Sequence, residues 1–260
     1  MNKVFKSLQY IFLLGLLCFA GCSHSASAIE TPLLNESVAV LGVWWWYVPP
    51  RDENRYLDFA AKNGINEIYF YTTDFNNRVG SFIERAGSRG IKVFLLMDEY
   101  WYITDHDTFS NVMDRFIAYQ TAAPAGRRFA GLHMDIEPHE YPAFAEDEGH
   151  FLQLYMDFVV WVCSTFRPRL VSAYEGATID FDIPCWFNMP VDYKGRKTEL
   201  YKAVFAEADR VFLMAYKDSA EKAHELAKKE IAYAREVNKP VIVGVETGRW
   251  DEEPEISYYG

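Results

Sequence analysis

The sequence predicts an α/β fold, a TIM (β/α)8 barrel of which seven β/α units are visible and the eighth is missing. Short runs rich in β-branched and aromatic residues alternate with longer amphipathic segments. The short runs are apolar almost throughout, as expected for parallel strands covered by helices. No glycine-rich dinucleotide-binding motif follows any of them, which favours a barrel over an open doubly wound sheet.

The predicted elements alternate along the chain. The strands are Ala39–Trp45, Glu67–Thr72, Lys92–Met97, Gly131–Ile136, Thr178–Trp186, Arg210–Ala215 and Pro240–Val245. The helices between them are Tyr56–Asn63, Ser81–Gly90, Thr108–Ala122, Gly149–Phe166, Lys197–Ala208 and Ser219–Val237. Gly64, Gly90 and Asn238 lie where three helices should end, because glycine and asparagine tolerate the left-handed conformation found there.

The segment after the seventh predicted strand is short. Glu246–Gly260 has too few residues for a further helix and an eighth strand. A barrel that lacks one strand exposes two sheet edges and part of its core. We therefore expect that the sequence is truncated, with an open barrel as the alternative.

The first residues are predicted to be a targeting signal. Lys3 and Lys6 precede the apolar run Tyr10–Ala20, which is too short to span a bilayer comfortably. The run ends in Phe-Ala-Gly-Cys22, which resembles the lipobox of bacterial lipoproteins and implies cleavage before Cys22 and lipidation of that residue. The alternative is an ordinary secretory signal. The predicted divisions are a signal peptide at 1–21, a lipidated tether at 22–36 and a barrel domain at 37–260.

This organisation predicts a protein of the bacterial cell envelope that is attached to the membrane only through its N-terminal lipid. The formal net charge is −11, and lysine and arginine are not clustered, so nucleic acid and anionic lipid surfaces are disfavoured as partners. No metal-binding spacing or phosphate-binding loop is present in the sequence, and we expect neither a metal nor a cofactor. We expect a monomer, in which Cys163 and Cys185 either pair or remain buried thiols.

The most informative segment is Phe129–Pro138, in which an apolar run ends in alternating His133, Asp135 and Glu137. Residues two apart share one face of a strand, so these three side chains point the same way. Two adjacent carboxylates at a strand end are costly for stability and useful for acid–base chemistry. The alternative is a turn-capping aspartate beside a solvated glutamate.

Other predicted strands also end in carboxylates and aromatic residues, and barrels carry their catalytic groups at these ends. Flat rings stack on sugar faces while carboxylates handle hydroxyls and glycosidic oxygens, so this combination predicts a carbohydrate site. Packing explains each ring as well, and a salt bridge to Asp218 or Asp251 would explain Lys217. The candidate substrate-binding residues are Trp44, Trp46, Tyr71, Asp98, Trp101, Trp186, Lys217 and Trp250.

The segment Met-Asp135-Ile-Glu137-Pro resembles the end of the D-x-x-D-x-D-x-E motif of glycoside hydrolase family 18, and the segment ending at Tyr216 resembles that family's M-x-Y. The resemblance implies that Glu137 protonates the leaving oxygen, that Asp135 orients a substrate acetamido group and that Tyr216 supports the intermediate. Ala130 and His133 stand where the motif has its two earlier acids.

A second resemblance is to the large clan of retaining barrels that includes cellulases. Glu137 with Pro138 resembles that clan's N-E-P segment, with Ile136 in place of Asn, and Glu246 matches its nucleophilic glutamate after strand seven. The chain also resembles a group of uncharacterised bacterial proteins with H-x-D-[IV]-E-P and M-A-Y-[KR]-D motifs.

These residues predict an O-glycosyl hydrolase with Glu137 as general acid/base and Asp135, Glu246 and Tyr216 as further catalytic residues. In a direct scheme Glu246 attacks the anomeric carbon, and in an assisted scheme the substrate's acetamido group does. The presence of Glu246 at the barrel mouth favours the direct scheme. The non-enzymatic alternative is a catalytically silent, lipid-anchored carbohydrate-binding barrel.

Overall fold

The structure is a computed structural model that describes residues 40–46, 50–248 and 254–258. The predicted signal peptide, the tether with Cys22, and Trp250 lie outside the described residues. None of the helices among the described residues is both long enough and apolar enough to cross a bilayer.

Seven parallel strands form the main sheet, and two antiparallel strands form a separate hairpin. The main sheet has the order β1-β2-β3-β4-β5-β8-β9, so each strand pairs with the next one along the chain apart from the hairpin β6–β7. The strands are β1 Gly42–Trp45, β2 Glu67–Tyr71, β3 Lys92–Met97, β4 Gly131–Met134, β5 Thr178–Pro184, β6 Pro190–Tyr193, β7 Arg196–Glu199, β8 Arg210–Met214 and β9 Val241–Gly244.

Helices follow the strands of the main sheet up to β8 and cover its outer face. They are α1 Glu53–Lys62, α2 Asn77–Gly87, α3 His106–Ala122, α4 Glu148–Ala173, α5 Leu200–Glu207 and α6 Ala220–Glu236. Asn76, Asp105, Asp147 and Ser219 cap four of them, because each side-chain oxygen accepts a hydrogen bond from a backbone N–H of the first turn. The predicted fold class, seven β/α units of a barrel, is confirmed.

Contacts between side chains of distant strands on the concave face show that the sheet is strongly curled. Trp44 of β1 donates a hydrogen bond to Asp182 of β5, and Arg210 of β8 binds Glu67 of β2. These contacts cross the interior between strands that are not neighbours in the sheet. A flat sheet would hold such strands many ångströms apart, since adjacent strands are spaced about 4.8 Å. Among the described residues no further strand joins β9 to β1.

Two local predictions are wrong. The first three residues of the predicted helix Lys197–Ala208 instead belong to the second strand of the hairpin, β7. The turn of the hairpin at Lys194 and Gly195 has positive φ angles of 50° and 78°. The predicted end of the fourth helix at Phe166 is also wrong. The helix continues through Pro168 to Ala173, because burial of Leu170 in the last turns offsets the cost of an internal proline.

The cysteines do not pair. Cys163 in α4 and Cys185 after β5 are buried free thiols. Burial raises the pKa of Cys163 to about 11 and that of Cys185 to about 12, so neither is a reactive thiolate near neutral pH.

Candidate active site at the carboxyl end of the sheet

An ion-pair cluster closes the amino end of the curled sheet. Arg210 Nη1 lies 2.9 Å from both Glu67 carboxylate oxygens, and its Nη2 lies 2.6 Å from Asp180 Oδ2. The guanidinium also lies over Phe94, 4.6 Å from the ring centroid. Burial raises the pKa of Asp180 although Arg210 opposes the shift. This cluster links β2, β5 and β8 and fixes the curl on which the site above it depends.

In the middle layer of the interior, side chains from two other strands contact Asp182. Trp44 Nε1 donates a 2.8 Å hydrogen bond to Asp182 Oδ2, and His133 Nε2 lies 2.8 Å from the same oxygen. The His133 ring stacks on Tyr69 with centroids 4.0 Å apart. The partner of His133 thus belongs to the neighbouring strand β5. Trp44, predicted to bind substrate, is instead packed in this layer with 4% exposure.

Asp135 lies directly above this layer and is hydrogen-bonded to Asp182. Burial raises its pKa well above the usual range, and the nearby charges of Asp182, Glu137 and Asp98 raise it further. Asp135 Oδ1 and Asp182 Oδ1 are buried, and neither has a hydrogen-bond partner among the described residues. Two carboxyl groups in contact favour a state in which one proton is held by the pair.

Asp182 is a residue that the sequence reasoning missed. The signal was present, because Asp180 and Asp182 alternate along Thr178–Pro184 with the same period of two as His133 and Asp135. Both segments are buried strands with inward-facing polar side chains, and they are neighbours in the sheet.

Glu137 occupies the rim of the cleft, where its side chain is 28% exposed. It begins the 3-10 turn Pro138–Glu140, and this turn brings His139 Nε2 to 2.8 Å from Glu137 Oε2. His139 therefore lies against the predicted general acid. The imidazole ring also meets Trp186 edge-on, with centroids 5.4 Å apart.

Tyr216 lies among the predicted catalytic carboxylates. Burial raises the pKa of Tyr216, and the negative charges of Asp135, Asp182, Glu137 and Glu246 raise it further. Glu246 is 3% exposed and accepts a hydrogen bond from the backbone N–H of Gly248. The curl therefore brings the four predicted catalytic residues together from three strand ends, with Asp135, Glu137 and Glu246 around Tyr216.

A second group of site residues lies at the ends of β1, β2 and β3. Burial raises the pKa of Asp98 to about 7, the neighbouring Glu99 charge adds to the shift, and a hydrogen bond from the Trp46 side chain opposes it. The Tyr71 hydroxyl donates a 2.9 Å hydrogen bond to Glu99 Oε1. Trp46, Tyr71 and Asp98, predicted independently from three strand ends, are thus close to one another.

Two exposed tryptophans lie in loops that follow strands of the main sheet, Trp101 after β3 and Trp186 after β5. Trp101 is 40% exposed and packs on Tyr100, whereas Trp186 is 41% exposed and packs on His139. Lys217 lies in the loop between β8 and α6. The Asp218 carboxylate binds Lys222 at 2.7 Å, and Asp251, the other partner considered for Lys217, lies outside the described residues.

Within the part of the chain that the structure describes, no three histidine, cysteine, aspartate or glutamate side chains are grouped so as to hold a metal ion.

The sequence matches no family model and no curated protein. Solved structures with a similar fold include a GH18 chitinase from Cycas revoluta in complex with (GlcNAc)3, with 14% identity over 68% of this chain and a TM-score of 0.43. A β-1,4-mannanase from Aplysia kurodai has 13% identity over 63% of this chain and a TM-score of 0.40. A chitinase from Chromobacterium violaceum has 14% identity over 79% of this chain and a TM-score of 0.41.

The chain spans 55% of the length of the Cycas chitinase, 64% of the mannanase and 68% of the Chromobacterium chitinase. At these identities the similarity concerns the fold.

Proposed function

We propose that this protein is a glycoside hydrolase that cleaves O-glycosidic bonds of an oligo- or polysaccharide, with Glu137 as the general acid/base. The observation that carries the proposal is the position of Glu137. Its carboxyl group is partly exposed at the rim of the cleft, beside the buried Asp135–Asp182 pair and the tyrosine at position 216. Exposed rings of Trp101 and Trp186 lie in loops that follow β3 and β5 and suit the apolar faces of pyranoses.

Glu137 would give its proton to the glycosidic oxygen as the bond from that oxygen to the anomeric carbon breaks. The carboxylate that remains accepts a hydrogen bond from the protonated nitrogen of His139, which holds it in position. In the second half of the reaction Glu137 takes a proton from the attacking water, which restores the acid. His139 is thus proposed as an orienting partner for the general acid.

Glu246 is proposed as the nucleophile that attacks the anomeric carbon. The Gly248 backbone N–H orients its carboxylate, and Tyr216 lies within the electrostatic reach of both Glu246 and Glu137. A retaining mechanism of this kind needs the two carboxyl groups about 5 Å apart. In the assisted alternative the acetamido oxygen of the substrate attacks, Asp135 orients that group and Tyr216 hydrogen-bonds the intermediate.

Asp182 is proposed as the positioning residue for Asp135. Hydrogen bonds from Trp44 and His133 fix its carboxylate, and Asp135 is in turn hydrogen-bonded to it. Burial and the neighbouring carboxylates raise the pKa of Asp135, which favours a proton shared between Asp135 and Asp182.

The substitution Glu137→Gln tests the proposal. We expect hydrolysis of a panel of oligosaccharides and aryl glycosides to fall by about 10²–10⁴-fold, the usual contribution of a general acid, while glycan binding is retained. The matched control is Glu146→Gln, since Glu146 is an exposed glutamate of the next turn. Full activity of Glu137→Gln would refute the assignment. Hydrolysis of no glycan by the wild type, with binding intact, would favour the carbohydrate-binding alternative.

Trapping of a covalent intermediate distinguishes the direct scheme from the assisted scheme. A 2-deoxy-2-fluoro glycosyl fluoride should form a covalent adduct on Glu246 in the direct scheme, located by mass spectrometry of proteolytic peptides. Inhibition by a thiazoline mimic, with no adduct on Glu246, would instead support the assisted scheme.

Attachment to the cell envelope is a separate proposal that depends on the sequence alone. Lipidation of Cys22 would place the domain at a membrane surface by its N-terminal lipid. Cys22→Ser should abolish metabolic labelling by a radioactive fatty acid and release the protein from the membrane fraction. Continued labelling of that variant would exclude Cys22 as the acylated residue.

A further inference from the structure

Residues 254–258 lie against the end of β9, beside the proposed nucleophile, and we call this segment the strap. Its first three residues form the 3-10 turn Pro254–Ile256, and Ser257 then makes an isolated parallel bridge with Glu246. Ser257 is 2% exposed, although it belongs to no helix or strand. Buried hydroxyl groups are nearly always hydrogen-bonded, so the contacts of Ser257 indicate what the strap does.

Two hydrogen bonds attach the strap to the loop that follows β9. The backbone N–H of Tyr258 donates a 2.7 Å hydrogen bond to the carbonyl oxygen of Glu246. The Ser257 hydroxyl donates a hydrogen bond to the carbonyl oxygen of Gly248. The strap therefore holds the carbonyl groups on both sides of the peptide unit that joins Thr247 to Gly248.

This peptide unit carries the N–H group that contacts the proposed nucleophile. The N–H of Gly248 donates a hydrogen bond to Glu246 Oε1. Glycine has more backbone freedom than any other residue, so Gly248 alone would not keep its N–H directed at the carboxylate. Because the carbonyl groups on both sides are anchored, the peptide unit cannot turn away unless a hydrogen bond of the strap breaks.

A third hydrogen bond joins the strap to the loop that follows β8. The backbone N–H of Asp218 donates a 3.0 Å hydrogen bond to the carbonyl oxygen of Glu255. Asp218 lies two residues after Tyr216 in the same loop. The strap thus connects the loop that carries Tyr216 with the loop that carries Glu246, and it can fix the two proposed catalytic residues relative to each other.

We propose that Ser257 is a positioning residue for Glu246 and that it acts through the backbone of Gly248. This inference rests on the proposed function, because Glu246 is the nucleophile of the direct scheme. A misplacement of about 1 Å can cost on the order of 10²-fold in rate, since reaction requires the attacking atom to be aligned with its target. Loss of the Ser257 hydroxyl should therefore slow attack on the anomeric carbon more than it weakens substrate binding.

The experiment compares the full chain with its Ser257→Ala and Ser257→Thr variants. The matched control is Ser164→Ala, because the exposed Ser164 hydroxyl also donates a hydrogen bond to a backbone carbonyl, that of Trp161. Circular dichroism should show the same folded state for all four proteins. Ser257→Thr retains the hydroxyl and separates its loss from a change in packing.

Kinetics on an aryl glycoside that the wild type hydrolyses give the first readout. We expect Ser257→Ala to lower kcat by about 10–100-fold and to change KM by less than about threefold. Formation of the 2-deoxy-2-fluoro glycosyl adduct on Glu246 should slow by a similar factor. Ser257→Thr should recover most of the rate, and Ser164→Ala should match the wild type.

The amide-proton signal of Gly248 in the NMR spectrum gives a second readout, which does not depend on turnover. A hydrogen bond to a carboxylate is shorter and stronger than one to a neutral amide, so Glu246→Gln should move this signal upfield. Ser257→Ala should move the Gly248 signal in the same direction, because the N–H is no longer held against the carboxylate. Ser164→Ala should leave it in place.

An unchanged Gly248 signal and a wild-type kcat in Ser257→Ala would overturn the inference. Equal losses of kcat in Ser257→Ala and Ser257→Thr would also overturn it, since they would assign Ser257 a packing role.

The wild type separates this inference from the proposed function. Hydrolysis without an adduct on Glu246 would leave the hydrolase proposal standing and refute Ser257 as a positioning residue for a nucleophile. Hydrolysis of no glycan would refute the hydrolase. In that case a shifted Gly248 signal in Ser257→Ala would still support the positioning of the Glu246 carboxylate by Ser257, and an unshifted signal would refute it.

Discussion

Replacement of Asp98 by asparagine should make the folded protein more stable at alkaline pH. Burial and the Glu99 charge raise the pKa of Asp98 from 3.8 to about 7, so the folded state favours the neutral form. In the unfolded chain the carboxyl ionises near pH 4. Between these two values only the folded state binds the proton, and the unfolding free energy of the wild type therefore falls as the pH rises.

The size of the effect follows from the shift. A change of about 3 in the pKa of Asp98, at 1.36 kcal/mol for each unit, corresponds to at most about 4 kcal/mol of lost stability above pH 7. Asparagine has nearly the same shape and no charge. We therefore expect Asp98→Asn to exceed the wild type by about 2–4 kcal/mol at pH 8 and to match it near pH 4.

Urea unfolding at pH 4, 6 and 8, followed by tryptophan fluorescence and circular dichroism, measures this difference. The exposed Asp107 supplies the matched control, because Asp107→Asn also removes one acidic side chain but from an exposed position. A difference between Asp98→Asn and the wild type that is constant with pH, or a variant that is less stable at pH 8, would refute the reasoning.

Three other substitutions test the interior and the rim. Arg210→Met removes the cation from two buried carboxylates and should cost about 3–5 kcal/mol in urea unfolding; a loss below 1 kcal/mol would contradict a structural role. Burial raises the pKa of Glu230, whose Oε2 has no partner among the described residues, so Glu230→Gln should raise the midpoint of thermal unfolding more at pH 8 than at pH 5. Trp186→Ala should weaken glycan binding about tenfold and change stability by less than about 1 kcal/mol, because its ring is 41% exposed; unchanged affinity would remove Trp186 from the binding surface.

Much of the fold was predictable because it depends on local pattern. The strand Lys92–Met97 has the predicted bounds, and the other six strands of the main sheet begin or end within a few residues of theirs. Gly64, Gly90 and Asn238 have the positive φ angles that the helix-end predictions require. The hairpin β6–β7 was missed because its second strand runs into the apolar start of α5, and the combined pattern resembles one longer helix.

The alternation of His133, Asp135 and Glu137 predicted by itself that these side chains point the same way from one strand end, because the period of a β-strand is two. The strand β4 ends at Met134, so only His133 lies within it. Which groups they meet was decided by the tertiary structure. Asp182, 47 residues beyond Asp135, reaches it because β4 and β5 are neighbours, and Arg210 reaches Glu67 across 143 residues because the sheet curls. The period of a strand fixes the direction of each of its side chains. The distance between side chains on two different strands depends on the pairing and curvature of the whole sheet.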